Sequence, residues 1–219
     1  YQSEYNGNRH SVSHFSSVKF VVPATNPYNF TGKALLMDNY RFVDAGARVV
    51  DNDKQTDRYL VGVRGQTDDG WDWESAASYS VAEAFDVTHN RVSNTLMDAL
   101  LHRTDETAYN PFNGAGIYQT GFVSHNPVDY TPGGIGPAVV DAYRANERTM
   151  TTLDFRMSKP DVFTITGGDV GMAFGVEARI DTFMDDRDPR LDGTIVFTER
   201  RTNGQLSTSA GDTYPYESE

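Results

Sequence analysis

The chain has no cysteine, and no apolar run approaches the ~18–20 residues that a membrane-spanning helix requires. The first absence rules out disulfides and thiolate metal sites and leaves the compartment open. The second means that any passage through a bilayer would be made by strands, the other architecture in which every backbone polar group is satisfied internally. Basic residues are scarce: 19 Lys and Arg stand against 31 Asp and Glu in 219 residues, a formal net charge of -12. Nucleic acid is therefore not an expected partner, and cationic or neutral ligands are easier to accommodate. No G-x-S-x-G, P-loop or G-x-G-x-x-G motif occurs, so neither an enzyme nor a cofactor is expected. The chain opens at Tyr1 without an initiator Met or a leader pattern, which reads as a processed product or a fragment. Twelve Tyr, twelve Phe and two Trp, by contrast, make 12% aromatic residues, a bias toward β structure or toward a saccharide- or membrane-facing surface. Apolar residues make up 38% of the chain and the mean hydropathy is -0.55. These values are low for a compact core and ordinary for a barrel with a polar inner face.

The stretch 71–87, WDWESAASYSVAEAFDV, has a period of two. Trp71, Trp73, Tyr79, Val81, Phe85 and Val87 hold odd positions, and Asp72, Glu74, Ser78, Ser80 and Asp86 hold even ones among alanines. That pattern is a strand with one apolar face and one polar face. The preceding 57–66 alternates in the same way, with Tyr59, Val61 and Val63 odd, and Thr67-Asp68-Asp69-Gly70 closes a hairpin between the two. Alternation resumes at Thr149 with Leu153, Phe155 and Met157 odd, and is expected to stop at Pro160, which supplies no ladder donor. After Gly167-Gly168-Asp169 a further strand carries Val170, Met172, Phe174, Val176, Ala178 and Ile180 opposite Gly171, Gly175, Glu177, Arg179 and Asp181.

Elsewhere the pattern is weaker. Residues 1–13 read as a loop with an Asn6-Gly7 turn, 14–22 as a strand of uncertain facing, and 35–50 as a strand with a bulge near Gly46. Alternation lapses over 88–148 and 182–219, two long connections, whereas those at 67–70 and 160–169 are short. Within the first, 91–103 spaces Val92, Leu96 and Leu100 as the apolar stripe of a short helix. A small hairpin is expected around Thr194 to Thr198. Short reversals at one rim and long excursions at the other are the signature of an up-and-down barrel inserted from one side.

Candidate ligand contacts are Tyr109, Phe112, Tyr118, Phe122, His125 and Tyr130, aromatics of the first long loop that either meet a ligand or pack the loop against itself. Asp185, Asp186, Asp188 and Asp192 offer oxygen ligands, but their spacing misses the EF-hand pattern and arginines compete for them, so a solvated acidic loop is preferred to a metal site. His10 and His14 have no third ligand nearby in sequence, and Asp44, Asp51, Asp53 and Asp57 have no aromatic platform tied to them for glycoside chemistry. No metal site is assigned.

MDNYRFVDAGARVV, DVTHNRVSNTL, YNPFNG and GGDVGMAFGVEARIDTFMDDRDPRLDG together resemble the front part of the barrel of proteobacterial TonB-dependent outer-membrane receptors. The resemblance runs from about Asn26 to Gly193, with Asp169 where that family usually has proline and with neither TonB box nor plug domain in the chain. It implies an all-β fold: an antiparallel up-and-down sheet, part of a transmembrane barrel of about 22 strands, with a short helix in a long loop. The whole of 1–219 would then be one partial barrel domain, with 88–148 and 182–219 as extracellular loops. The implied function is energised uptake of a scarce nutrient, a siderophore, saccharide or similar solute, across the bacterial outer membrane. The implied partners are the remaining barrel and plug segments, the TonB system acting through the plug, lipid or detergent, and a small-molecule ligand. The alternatives are a soluble β-rich surface binding module and a self-assembling structural β protein.

Overall fold

The computed structural model describes residues 2–13, 15–112 and 132–217, with 2–13 as backbone. Among the described residues the chain is antiparallel β with one short helix. The strands are β1 (Gln2–Ser13), β2 (Phe15–Ser16), β3 (Phe20–Val22), β4 (Leu35–Met37), β5 (Tyr40–Arg41), β6 (Ala47–Gln66), β7 (Asp72–Val92), β8 (Val139–Ile165), β9 (Gly168–Arg187), β10 (Phe197–Thr198) and β11 (Thr213–Tyr214). Helix α1 (Asn94–Leu101) lies between β7 and β8. One open sheet of five strands has the order β1-β6-β7-β8-β9, with β1 and β9 at its edges. The chain divides into two compact units: 1–6, 53–85 and 145–185 form one, and 7–52, 86–144 and 186–219 the other.

The first unit consists of the turn-side parts of β6, β7, β8 and β9 with the start of β1. Thr67 donates to Trp71 O and Gly70 to Thr67 O, and a φ of +82° at Gly70 lets the hairpin reverse within those residues. The turn from β8 to β9 falls at 166–167. β8 does not stop at Pro160 but runs 27 residues, to Ile165. Because Arg156 lies against Glu74 on β7, position 160 falls opposite the β6–β7 turn. β8 has outrun its neighbour there, and the missing N–H breaks no bond to β7.

In the second unit the expected strands 14–22 and 35–50 are broken into short pieces. β2 pairs with β5, and β3 with β4 through Phe20 opposite Met37 and Val22 opposite Leu35. Phe20, Val21 and Val22 are all buried, so β3 has no wet face and its sequence no alternation. Gly46 is not a bulge; its φ of +84° carries the chain from a 3-10 turn at Val43–Ala45 into β6. Residues 2–13, read as a loop, form β1. The core joins these strands to α1 through Val18, Phe20, Phe42, Met97, Leu101, Tyr109 and Phe197. Phe20 packs against the rings of Phe42 at 6.2 Å and Phe197 at 5.6 Å. Ser93 caps α1 by accepting from the backbone N–H of Leu96 at 3.2 Å. The buried side of α1 carries Asn94, Met97, Asp98, Leu100 and Leu101, while Leu96 is partly exposed. The helix is thus rotated from the expected stripe, and Asp98 is accepted inside because Arg200 Nε donates to it at 2.7 Å.

The long connections are shorter than 88–148 and 182–219, since β7 reaches Val92, β8 begins at Val139 and β9 reaches Arg187. The expected hairpin near 194–198 closes instead with β11, Phe197 opposite Tyr214 and Thr198 opposite Thr213. Beyond it the carboxylate of Glu217, fully buried, accepts from the hydroxyls of Ser93 and Thr95 and from Thr95 N, and pairs with Arg190 Nε at 3.4 Å. Replacing Glu217 with Ala strands these donors and the guanidinium. We expect a loss of about 3–5 kcal/mol, read as a lower denaturant midpoint of the near-UV signal in full-length chain. A midpoint equal to wild type would show that this C-terminal anchor contributes nothing.

Candidate functional site

Register decides which side chains share a face of the first unit. Gly65 lies under the indole of Trp73, and a Cβ there would come within 2.9 Å of the ring. Gly62 lies beside Ala76. Odd positions of β6 therefore meet odd positions of β7. Across β7 and β8, Arg156 lies 3.5 Å from Glu74, and the hydroxyls of Ser78 and Thr152 meet at 2.5 Å, so parity is conserved again. Between β8 and β9 it is exchanged: Gly175 sits beside Arg156, and the hydroxyls of Thr149 and Thr182 are hydrogen-bonded.

Carried through, this register places the apolar residues of β6, β7, β8 and β9 on one side. Successive rows read Gly65, Trp73, Met157, Phe174; then Val63, Ser75, Phe155, Val176; then Val61, Ala77, Leu153, Ala178; then Tyr59, Tyr79, Thr151, Ile180. The next rows mix polar and apolar residues, with Asp57, Val81, Thr149 and Thr182, then Gln55, Glu83, Glu147 and Met184. Trp71 and Phe155 both pack on Phe174, with centroids at 6.0 and 6.4 Å. The band therefore has Trp and Phe at the turn end and paired Tyr at the other. It is uncovered: Val61 is 68% exposed, Val176 65% and Leu153 56%.

The opposite side carries Arg64, Glu74, Arg156 and Glu177 among small residues. A hollow of about 1130 Å³ is lined by Arg64, Glu74 and Arg156 from that side and by Trp73, Met157 and Phe174 from the other.

The second unit holds the aromatic candidates. Tyr109 is fully buried, with its hydroxyl 3.2 Å from that of Tyr40. Burial first, then the Asp44 charge and Tyr40, raise its hydroxyl well above the ordinary pKa of 10.0. Its aromatic bulk fills the core where the sequence suggested an open loop. Phe112 is half-exposed and stacks on the more exposed Phe30 at 5.2 Å. Tyr118, Phe122, His125 and Tyr130 lie outside the described residues.

The acidic segment forms a turn. Asp188 is buried and accepts from Arg190 N at 2.9 Å, while Asp192 accepts from Thr194 N at 2.7 Å. Asp185 and Asp186 lie at the end of β9, and Asp186 acts first among the causes that raise the Tyr143 hydroxyl above its ordinary pKa. Among the described residues no group of three His, Cys, Asp or Glu side chains is placed to hold a metal.

One cluster escaped the sequence reading. His89 on β7 lies between Asp141 on β8, with Nδ1 to oxygen at 2.9 Å, and Asp51 on β6, with Nε2 to oxygen at 3.2 Å. The three are far apart in sequence, and register alone brings them together. Partial desolvation opposes charging of the ring, but hydrogen bonds and charge from Asp141, then Asp51, together raise its pKa above the ordinary 6.5. The raised value means that its contribution to stability is complete below 6.5 and is lost as pH climbs through the folded-state midpoint. We expect the His89 ring resonances to titrate with a midpoint above 6.5, and the pH slope of stability on the alkaline side of that value to flatten in His89→Gln. A midpoint at or below it would remove the two-carboxylate clamp.

No family model, curated protein or solved structure matches this chain.

Proposed function

We propose that the chain is a segment of the transmembrane β-barrel of a TonB-dependent outer-membrane receptor, serving energised uptake of a scarce solute. The observation that carries this reading is the banded face: apolar rows on four adjoining strands, bounded by Trp and Phe at one end and Tyr at the other. Positions 71–79, from the turn into β7, mark the most apolar part of the band, a length that matches the ~9–11 residues that a tilted barrel strand uses to cross a bilayer. Aromatic girdles at both edges are what such a strand presents at the two interfaces. The opposite, polar face would line a wet lumen.

The connections support the same reading. Turns at 67–70 and 166–167 both close the end at which β6 and β8 finish, and the long segment between β7 and β8 leaves from the other end. In outer-membrane barrels the short turns are periplasmic and the long loops extracellular. The free edges at β1 and β9 would pair with the remaining strands of the receptor, and TonB would act through the plug. A soluble surface module is the second reading, favoured by the exposed Phe30–Phe112 pair and by the second unit's own core.

A charge placed on the band separates the two. Leu153→Arg is expected to cost about 2–4 kcal/mol when folding is measured in phospholipid bilayers, whereas Ser158→Arg on the polar face, across from Asp72, is near neutral. Lipid-borne bromine should also quench Trp71 and Trp73. Equal tolerance of the two arginines, together with unquenched tryptophans, would dispose of the membrane assignment.

A further inference from the structure

A cavity of about 430 Å³ in the second unit lies between α1 and the segment of β10 and the residues after it. Thr95, Asp98, Ala99 and His102 line it from the helix, at the i, i+3, i+4 and i+7 spacing that puts side chains on one face. Phe197, which is buried, Arg200 and the exposed Leu206 line it from the facing segment. Asp98 sets the geometry of the polar groups. Its Oδ2 accepts from Arg200 Nε at 2.7 Å, and its backbone oxygen lies 2.7 Å from Nδ1 of His102, the residue that ends α1.

These contacts leave two groups unspent. The Asp98 carbonyl can only accept, so Nδ1 carries the proton of a neutral His102 ring, and Nε2 is an acceptor without a partner among the described residues. Arg200 uses Nε on Asp98 and Nη1 on Gly204 O, and its Nη2 has no partner among them. Arginine and carboxylate are commonly joined by two parallel hydrogen bonds. Here Asp98 makes one, its Oδ1 accepts none, and half of the guanidinium fork stays free. Oδ1 is closed off from solvent, 3.6 Å from His102 Nδ1, so Asp98 positions the other two groups and is not itself a ligand contact. The hydroxyls of Thr95 and Thr198 are taken by Glu217 and Thr213. Since Asp98 offsets the Arg200 charge, the lining with a neutral His102 offers a donor and an acceptor without net charge.

We infer that this cavity binds a small neutral polyol, a saccharide of one or two rings. An anion brings only acceptors, which His102 Nε2 cannot use, and it meets Asp98 beside the guanidinium. A cation brings only donors and faces Arg200. A hydroxyl donates and accepts through one atom, so neighbouring hydroxyls accept from Arg200 Nη2 and donate to His102 Nε2. The C–H faces of the same rings pack on Ala99, Phe197 and Leu206. The volume lies within the roughly 300–1,000 Å³ of small-molecule sites, which are apolar with a few placed polar groups. As the recognition site for an imported solute the cavity rests on the receptor reading; as a saccharide site it stands on its own lining.

The test is calorimetric titration of the full chain, in micelles of a detergent without a sugar headgroup, with glucose and with maltose. Acetate, ethylammonium and N-methylacetamide serve as acceptor-only, donor-only and amide controls. Saturable binding of at least one sugar is expected, with none from the controls. Of the five histidines, His102 should show the largest shift of its ring resonances at saturation. His102→Phe should weaken binding by about tenfold, the loss of one hydrogen bond to the ligand. Arg200→Lys keeps the charge on Asp98 but loses the planar fork; it should weaken binding several-fold, and serves if His102→Phe loses the wild-type circular dichroism. Absence of saturable heat from both sugars at tens of millimolar, equal binding of a control, an unmoved His102 ring, or unchanged affinity in the variants would overturn the inference. If sugar binding persists while Leu153→Arg proves harmless in bilayers, the receptor reading falls and the saccharide site stands. The opposite pair of results removes the site alone.

Discussion

Cross-strand register is the constraint on which the long sheet depends. The side-chain period of a strand is two, so a slip of one residue between β8 and β9 would carry Met172, Phe174 and Val176 to the side of Glu74 and Arg156. It would bring Glu177 and Arg179 beside Leu153 and Phe155 in exchange. The turn at 166–167 fixes one end of this pairing, and the Arg148–Asp181 ion pair at 2.5 Å supports it further along. Trp73 lying over Gly65 does the same for the hairpin, because the indole fits only where the facing strand has no side chain. The apolar band, the hollow and the His89 clamp are all consequences of one set of pairings.

The second unit is held by different means. Its connections are irregular, so their backbone groups have no ladder to join and must be satisfied by side chains. Asn26 donates to Leu101 O and Tyr109 O at 2.9 and 3.1 Å, tying the turn after β3 to the end of α1. Asn29 donates to Pro23 O and Lys33 O and accepts from Thr31. Glu217 does the equivalent at the start of α1. Buried polar side chains here stand in for secondary structure, which is why a segment rich in Asn, Pro and Gly is ordered around a core.

That division explains what could be read from the sequence. Where one face is apolar and the other polar, as at Tyr59 to Val63, Trp71 to Val87 and Val170 to Ile180, alternation announces both the strand and its facing. Where both faces are buried, as at Phe20 to Val22, alternation has no cause and is absent. The helix was legible as a helix, but its facing was not, because Asp98 lies inwards with a partner about a hundred positions away. Tyr109 looked like a ligand aromatic for the same reason: nothing local indicates that Tyr40 and Asp44 enclose it. His89 and its aspartates are ordinary surface residues in sequence until pairing places them together.

The exposure of the apolar face bears on the choice between a sandwich and a barrel. A sandwich buries the apolar faces of two sheets against each other, with polar residues on the outside. In this sheet Val61, Leu153 and Val176 are exposed, and within the first unit nothing but its own strands is available to cover them. An uncovered apolar face backed by a charged one is the pattern from which the proposed barrel reading starts. The ends of the band argue the same way. A sandwich core has no reason to finish in tryptophan at one end and in paired tyrosine at the other, whereas two lipid–water interfaces favour amphipathic rings at both depths. Beyond Tyr59 and Tyr79 acidic residues enter the same side, Asp57, Glu83 and Glu147 beside Val81 and Met184, so the band fades into mixed rows.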